Sequence, residues 1–142
     1  MPARTAIDDA TLRAYRETEY RVQGDTPFIL KIDRHSAALA ALHARLHVAS
    51  SAFITAANPF SQPCDASRND ARQQALAAEL AQVGLAAIAG IGQHPDNGWP
   101  GEPSFLVPGL SLDAASALGT KYGQNAIVWS GADAVPRLIL LR

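Results

Sequence analysis

A single cysteine, Cys64, stands in 142 residues, so no disulfide can form within the chain and a reducing compartment is the expected setting. Lys and Arg are nowhere clustered, and the formal net charge is −1. Nucleic-acid binding through backbone phosphates needs a basic patch, so that partner class is set aside. No apolar run approaches the roughly 18 residues that a membrane-spanning helix needs. Met1 to Ala10 shows no basic-then-apolar signal pattern. Only 6% of the residues are aromatic, yet 48% are apolar, a globular value that argues against wholesale disorder. The expectation is a single globular domain over residues 1–142, cytoplasmic, without membrane or nucleic-acid partners.

The central stretch is Ala52-Phe53-Ile54-Thr55-Ala56-Ala57-Asn58-Pro59-Phe60, an apolar, partly β-branched run that ends in Asn-Pro. It reads as a buried strand delivering its polar end to a loop. Ser67-Arg68-Asn69-Asp70 then opens a long helical pattern, with Ser67 as N-cap and Asp70 completing a short capping box. Leu76, Leu80 and Val83 form its apolar stripe, and Gly84 ends it. At 100° per residue, Asn69 lies about 20° from Leu76 around the axis, on the sheet-facing side of the first turn. Two amides, Asn58 and Asn69, are thereby brought to one loop.

On the N-terminal side, Asp8-Asp9 opens a short helix ending near Glu17, followed by strands over Thr18 to Val22 and Phe28 to Ile32 joined as a hairpin. Ser36 caps an alanine-rich helix to about His47 with the stripe Leu39, Leu42 and Leu46. Beyond Gly84, Leu85 to Ile91 is a strand. The following Gln93 to Pro103 is an eleven-residue loop with three prolines and two glycines, and Ser104 to Val107 is a further strand. Loops of that length in compact domains are commonly functional. Ser111 caps a helix with Leu118 and Tyr122 on its inner face, Gly123 stops it, and strands over Ala126 to Trp129 and Arg137 to Leu141 close the chain. The expected core is Phe53, Ile54, Leu76, Leu80, Leu106, Leu118, Ile127, Val128 and Leu140. Strands alternating with amphipathic helices predict an α/β fold. The expected form is a two-layer sandwich, with a three-layer arrangement as the alternative. Its mixed sheet of six or seven strands carries three main helices plus a short N-terminal one, with parallel neighbours where helices cross over.

Thr18-Glu19-Tyr20, Phe53 to Pro59, Asn69 with Arg72 and Leu76, Trp99-Pro100-Gly101-Glu102-Pro103-Ser104-Phe105, and Tyr122-Gly123-Gln124-Asn125-Ala126-Ile127 occur in an order and spacing that resembles a bacterial family, domain of unknown function 3293. The likeness runs from about Tyr15 to Trp129. In that family's pattern the Trp is followed by Pro-Glu-Glu-Ser or similar; with Pro-Gly-Glu-Pro-Ser here, a second carboxylate is lacking. The resemblance implies a small bacterial cytosolic domain, and brings no activity, cofactor or catalytic residue with it.

Several motifs carry less than their spelling suggests. His43 and His47 stand four apart on a helix, a spacing that can share a metal, but the segment lacks the metalloprotease glutamate and a third ligand; the flank of a surface helix is the favoured placement. Cys64 has no basic neighbour before Arg68 and is read as an ordinary loop thiol. Gly90-Ile91-Gly92 lacks the rest of a phosphate loop, and Asp33-Arg34-His35 is a solvated turn. No metal and no cofactor is expected.

The stronger constellation is composite: Asn58, Asn69, Trp99, Glu102, Ser104, Gln124 and Asn125, all at element ends where sites on rigid scaffolds are built. Caps and turns use the same residue types, and Glu102 could simply neutralise Arg72 or Lys121. Two functions are carried forward. In one, these residues line a pocket for a small polar ligand, with Trp99 as a stacking lid and Glu102 as the acid/base candidate. In the other, the domain is a protein-interaction module anchored on the Trp99 loop, and the polar residues are structural.

Overall fold

In the computed structural model, which describes residues 5–142, four helices and seven strands follow one another along the chain. They are α1 (Asp9–Glu17), β1 (Glu19–Val22), β2 (Phe28–Leu30), α2 (Ala37–Leu46), β3 (Ser51–Ile54), α3 (Ala66–Gln82), β4 (Ile88–Gln93), β5 (Glu102–Pro108), α4 (Leu112–Lys121), β6 (Ala126–Ser130) and β7 (Pro136–Leu140). The α/β class and the set of elements are as the sequence implies. The reading of Met1 to Ala10 falls partly outside the described residues. No helix among them is long and apolar enough to cross a membrane.

The strands form one sheet in the order β2-β1-β4-β5-β3-β6-β7. Every pairing is antiparallel, where parallel neighbours were expected. The reason lies in how the crossovers are filled. The strands that α3 joins, β3 and β4, do run the same way, but β5 hairpins back between them. Likewise α4 joins β5 to β6 across β3. Direction along the chain was legible; adjacency was not, because local hairpins insert into each gap.

The sheet curls. After β2 the chain hydrogen-bonds onto the approach to β7, Asp33 N donating to Pro136 O at 2.7 Å and Ser36 N to Ala134 O at 2.9 Å. Period-two alternation sorts the apolar residues to two faces. Inward lie Tyr20, Val22, Leu30, Phe53, Leu106 and Val128, closed at one end by Leu39 and Leu42 of α2. Outward lie Ala52, Ile54, Val107 and Ile127, covered by Leu76 and Leu80 of α3 and by Ala115 of α4. α3 and α4 form the layer against the outer face, as in a two-layer sandwich, and α2 closes one end of the inner face.

Several local expectations change. The N-cap of α3 is Asp65, whose Oδ1 accepts from Arg68 N at 2.8 Å, so Ser67 lies inside the helix. Val83 is the C-cap and 69% exposed, since the helix ends before the stripe reaches it. Leu140, at the end of the edge strand β7, is 40% exposed, and Leu46, the last residue of α2, is exposed too. Leu118 is half-buried, and the other expected core residues are buried. β4 begins and ends later than expected, and β5 already begins at Glu102. His43 is not on a surface flank. It is buried, with Nε2 2.9 Å from Ser51 Oγ, while His47 leaves the helix in a left-handed conformation (φ 55°). No group of three or more His, Cys, Asp or Glu among the described residues could hold a metal.

Candidate functional site

α2 closes one end of the curled sheet; the opposite end is open. There lie the start of β1, the end of β4, the start of β5, the end of β3 and the start of β6, and between them a cavity of about 740 Å³. The mouth of a curled or barrel-like sheet is a common place for a ligand.

Its size follows from sequence. Across β1, β4 and β5 the inward row nearest the mouth is Tyr20, Gly92, Glu102, and the next row is Val22, Gly90, Ser104. Both rows have glycine at the centre. At Gly90 the space is taken: a Cβ there would lie 2.8 Å from the Phe53 ring and 2.7 Å from Arg21 O. At Gly92 it is open, with only Thr18 Cγ2 nearby, at 3.8 Å. The missing side chain between Tyr20 and Glu102 leaves room for something else.

One wall is the loop after β3. Asn58 takes a left-handed conformation (φ 47°), which asparagine tolerates better than most residues. Phe60 and Ser61 follow at φ 55° and 57°, a strained turn held by Phe60 N donating to Gly123 O at 2.7 Å. Asn69 fixes the loop from the first turns of α3. Its Oδ1 accepts from Asn58 N and its Nδ2 donates to Asn58 Oδ1, both at 2.9 Å. Cys64 N also donates to Asn58 Oδ1. With two donors on Oδ1, the Asn58 amide has one orientation, and its Nδ2 donates to Glu102 Oε2 at 2.9 Å. Glu102 has no ion-pair partner among the described residues. Arg72 is spent on the carbonyls of Ala56 and Tyr122, and Lys121 pairs with Glu79. Burial pushes the Glu102 carboxyl above the usual range, and the Asn58 hydrogen bond offsets only part of that.

The second wall is formed by Gln124 and by the hydroxyls of Tyr15 and Ser61. Gln124 donates through Nε2 to Ala57 O and Tyr122 O. Asn125 does not line the cavity. It stands behind it, donating to Tyr15 Oη and Ser61 Oγ while Arg142 donates to its Oδ1 at 2.9 Å. Ser104 faces the cavity and returns its hydroxyl to Glu102 O. Apolar surface comes from Phe53, Val128 and Leu138, with Tyr20 edge-on to Phe53 at 5.3 Å between centroids.

The lip is the loop between β4 and β5. His94 organises it: Nδ1 accepts from Asp96 N and Asn97 N, both at 3.0 Å, so Nε2 carries the proton and donates to Glu17 Oε1 at 3.1 Å. Trp99 lies tilted against His94, 6.5 Å between centroids, and is 53% exposed.

Of the seven residues singled out in the sequence, Asn58, Asn69, Trp99, Glu102, Ser104 and Gln124 line this one cavity, and Asn125 supports it. Sequence reasoning did not place Tyr15, Thr18, Tyr20 and Ser61 in the site: Thr18 and Tyr20 entered only through the family resemblance, Tyr15 lies on an element distant in the chain, and Ser61 carries no motif. It also missed Gln73, buried on the same face of α3 as Asn69, whose Oε1 accepts from Ala56 N at 2.6 Å. The wheel that placed Asn69 would have placed Gln73.

Compared with known proteins, no curated protein and no solved structure matches the chain. The model of a family described as protein of unknown function (DUF3293) matches residues 54–127, more than half of the chain and a span that runs from the end of β3 through Gln124 into β6. The chain therefore belongs to the family of unknown function DUF3293.

Proposed function

We propose that the cavity binds a small polar ligand, with Glu102 as its anchor and the Trp99 loop as its lid. The observation that carries this is the state of Glu102: a largely buried carboxyl with one amide partner and no cation among the described residues, held in place by Asn58 and Asn69. An unpaired buried carboxylate costs stability, and such costs persist where function needs them. In the lining, Glu102 is also the group suited to move a proton, its burial favouring the neutral form. The reading includes a cytoplasmic setting, supported by the single free cysteine, and a bacterial source, supported by the family resemblance. A panel of neutral, basic and acidic ring compounds, followed by thermal shift, tests it. A ligand at 100 times its Kd stabilises by about 2.7 kcal/mol. A panel in which no compound shifts the wild-type protein, or in which shifts survive filling the cavity with Gly92→Leu, contradicts it.

A protein partner is the second reading, favoured by the exposure of Trp99 on the lip. It requires Trp99→Ala to abolish partner binding while leaving small-ligand shifts unaffected.

A further inference from the structure

We infer that the ligand is a small organic cation: a protonated amine carried on a compact apolar or aromatic body. This rests on the small-ligand reading above and adds its charge class.

Hydrogen-bond accounting comes first. Gln124 is only 8% exposed, and its Nε2 donates to two carbonyls, Ala57 O and Tyr122 O. Both are acceptors, so the amide cannot flip, and Oε1 points away from them with no donor among the described residues. Glu102 is in the same position. Oε2 accepts from Asn58, whose orientation is itself fixed, and Oε1 has no donor among the described residues. Both Nδ2 hydrogens of Asn69 are spent, on Asn58 Oδ1 and on Cys64 O, so it has no donor left for a ligand. Two acceptor oxygens on the wall are thus open to a ligand's N–H or O–H groups.

Charge points the same way. The carboxylates in the lining are Glu102 and Asp70, and the lining contains no Lys or Arg. An anionic ligand would meet a buried carboxylate with nothing between them. An ammonium would instead supply the missing counter-charge, offsetting the desolvation that raises the Glu102 carboxyl. The rest of the wall accepts an apolar body: Phe53, Val128 and Leu138 within, and the rings of Tyr20 and Trp99, whose faces tolerate a cation.

The test uses three probes of similar size and different charge: phenethylamine, 2-phenylethanol and 3-phenylpropionate, titrated into the whole chain and followed by NMR shifts of cavity residues. Phenethylamine is expected to bind at least about tenfold tighter than the alcohol, one decade of affinity being about 1.4 kcal/mol, and the acid weakest. Glu102→Gln should erase the preference for the amine over the alcohol. In the wild type, amine affinity should fall as pH is lowered through the carboxyl range while that of the alcohol holds; this measurement stands alone if the variant does not fold. An acid or alcohol that binds as tightly as the amine, or an amine preference that survives both Glu102→Gln and low pH, overturns the assignment. If the alcohol or acid binds in the cavity and the amine does not, the charge class falls and the small-ligand reading stands. If no compound of any charge perturbs the cavity, both fall.

Discussion

Asn69 holds Asn58 by both ends of one amide, accepting from its backbone N–H and donating to its side-chain oxygen, each at 2.9 Å. This double bond-pair turns a helix residue into the ruler for a strained loop, and through Asn58 it aims the Glu102 carboxyl. Asn69→Ala should therefore cost about 1–3 kcal/mol, the penalty for leaving half-buried partners unsatisfied. A urea melt of the ligand-free protein measures it. An unchanged or raised midpoint would mean that Asn69 is not structural.

Glu102 should act on stability in the opposite sense. Its carboxyl is raised by burial, so between the ordinary glutamate range and its folded value the native state holds more protons than the unfolded chain. Stability contributed by the neutral carboxyl is full below the ordinary range and is lost as pH rises through the raised one. Glu102→Gln, neutral at every pH, should then be more stable than wild type at neutral pH, by about 0.5–2 kcal/mol as for other site residues. Near pH 4 the two should converge. Paired melts at both pH values decide it; a variant less stable at neutral pH contradicts the burial argument.

The two inward glycines of β4 should part company. Gly90→Ala drives a methyl into the Phe53 ring and a backbone carbonyl, and should destabilise by about 1–3 kcal/mol as overpacking does. Gly92→Leu meets open space, at ordinary strand geometry, and should leave the thermal midpoint level or higher while filling the cavity. Equal losses at both positions would mean that the space beside Glu102 is not there.

On α3, Leu80→Ala should cost about 2–5 kcal/mol, because Leu80 is fully buried against the outer face of the sheet. Val83→Ala should lie within about 0.5 kcal/mol of wild type, since Val83 caps the helix in solvent. Denaturant midpoints of the pair check where the apolar stripe ends.

What could be read from the chain, and what could not, divides along contact range. Ser36 and Ser111 cap their helices as the local pattern implies, and Gly84 and Gly123 end theirs at positive φ. Asn69 was placed by helical geometry alone. Sheet order depends on which hairpin fills which gap, and no local pattern encodes that. The cavity was half legible for the same reason. Asn58, Glu102 and Gln124 stand at recognisable element ends, whereas Tyr15 of α1 and Tyr20 of β1 come from elements far from them in the chain. Leu140 belongs to an apolar run that reads as buried, but it ends an edge strand, where burial depends on neighbours the run cannot announce.

The most direct measurement of the central claim uses the two tryptophans as site and control. Trp99 lies on the lip of the cavity, whereas Trp129 packs with the outer cluster and donates its indole N–H to Leu110 O at 3.0 Å. In a ¹H–¹⁵N spectrum, titration with the compound that gives the largest thermal shift should move the Trp99 indole signal and leave that of Trp129 in place, and Gly92→Leu should abolish the movement. A ligand that stabilises the protein while the Trp99 signal stays fixed, or that moves both signals alike, would contradict a binding site at the mouth of the sheet.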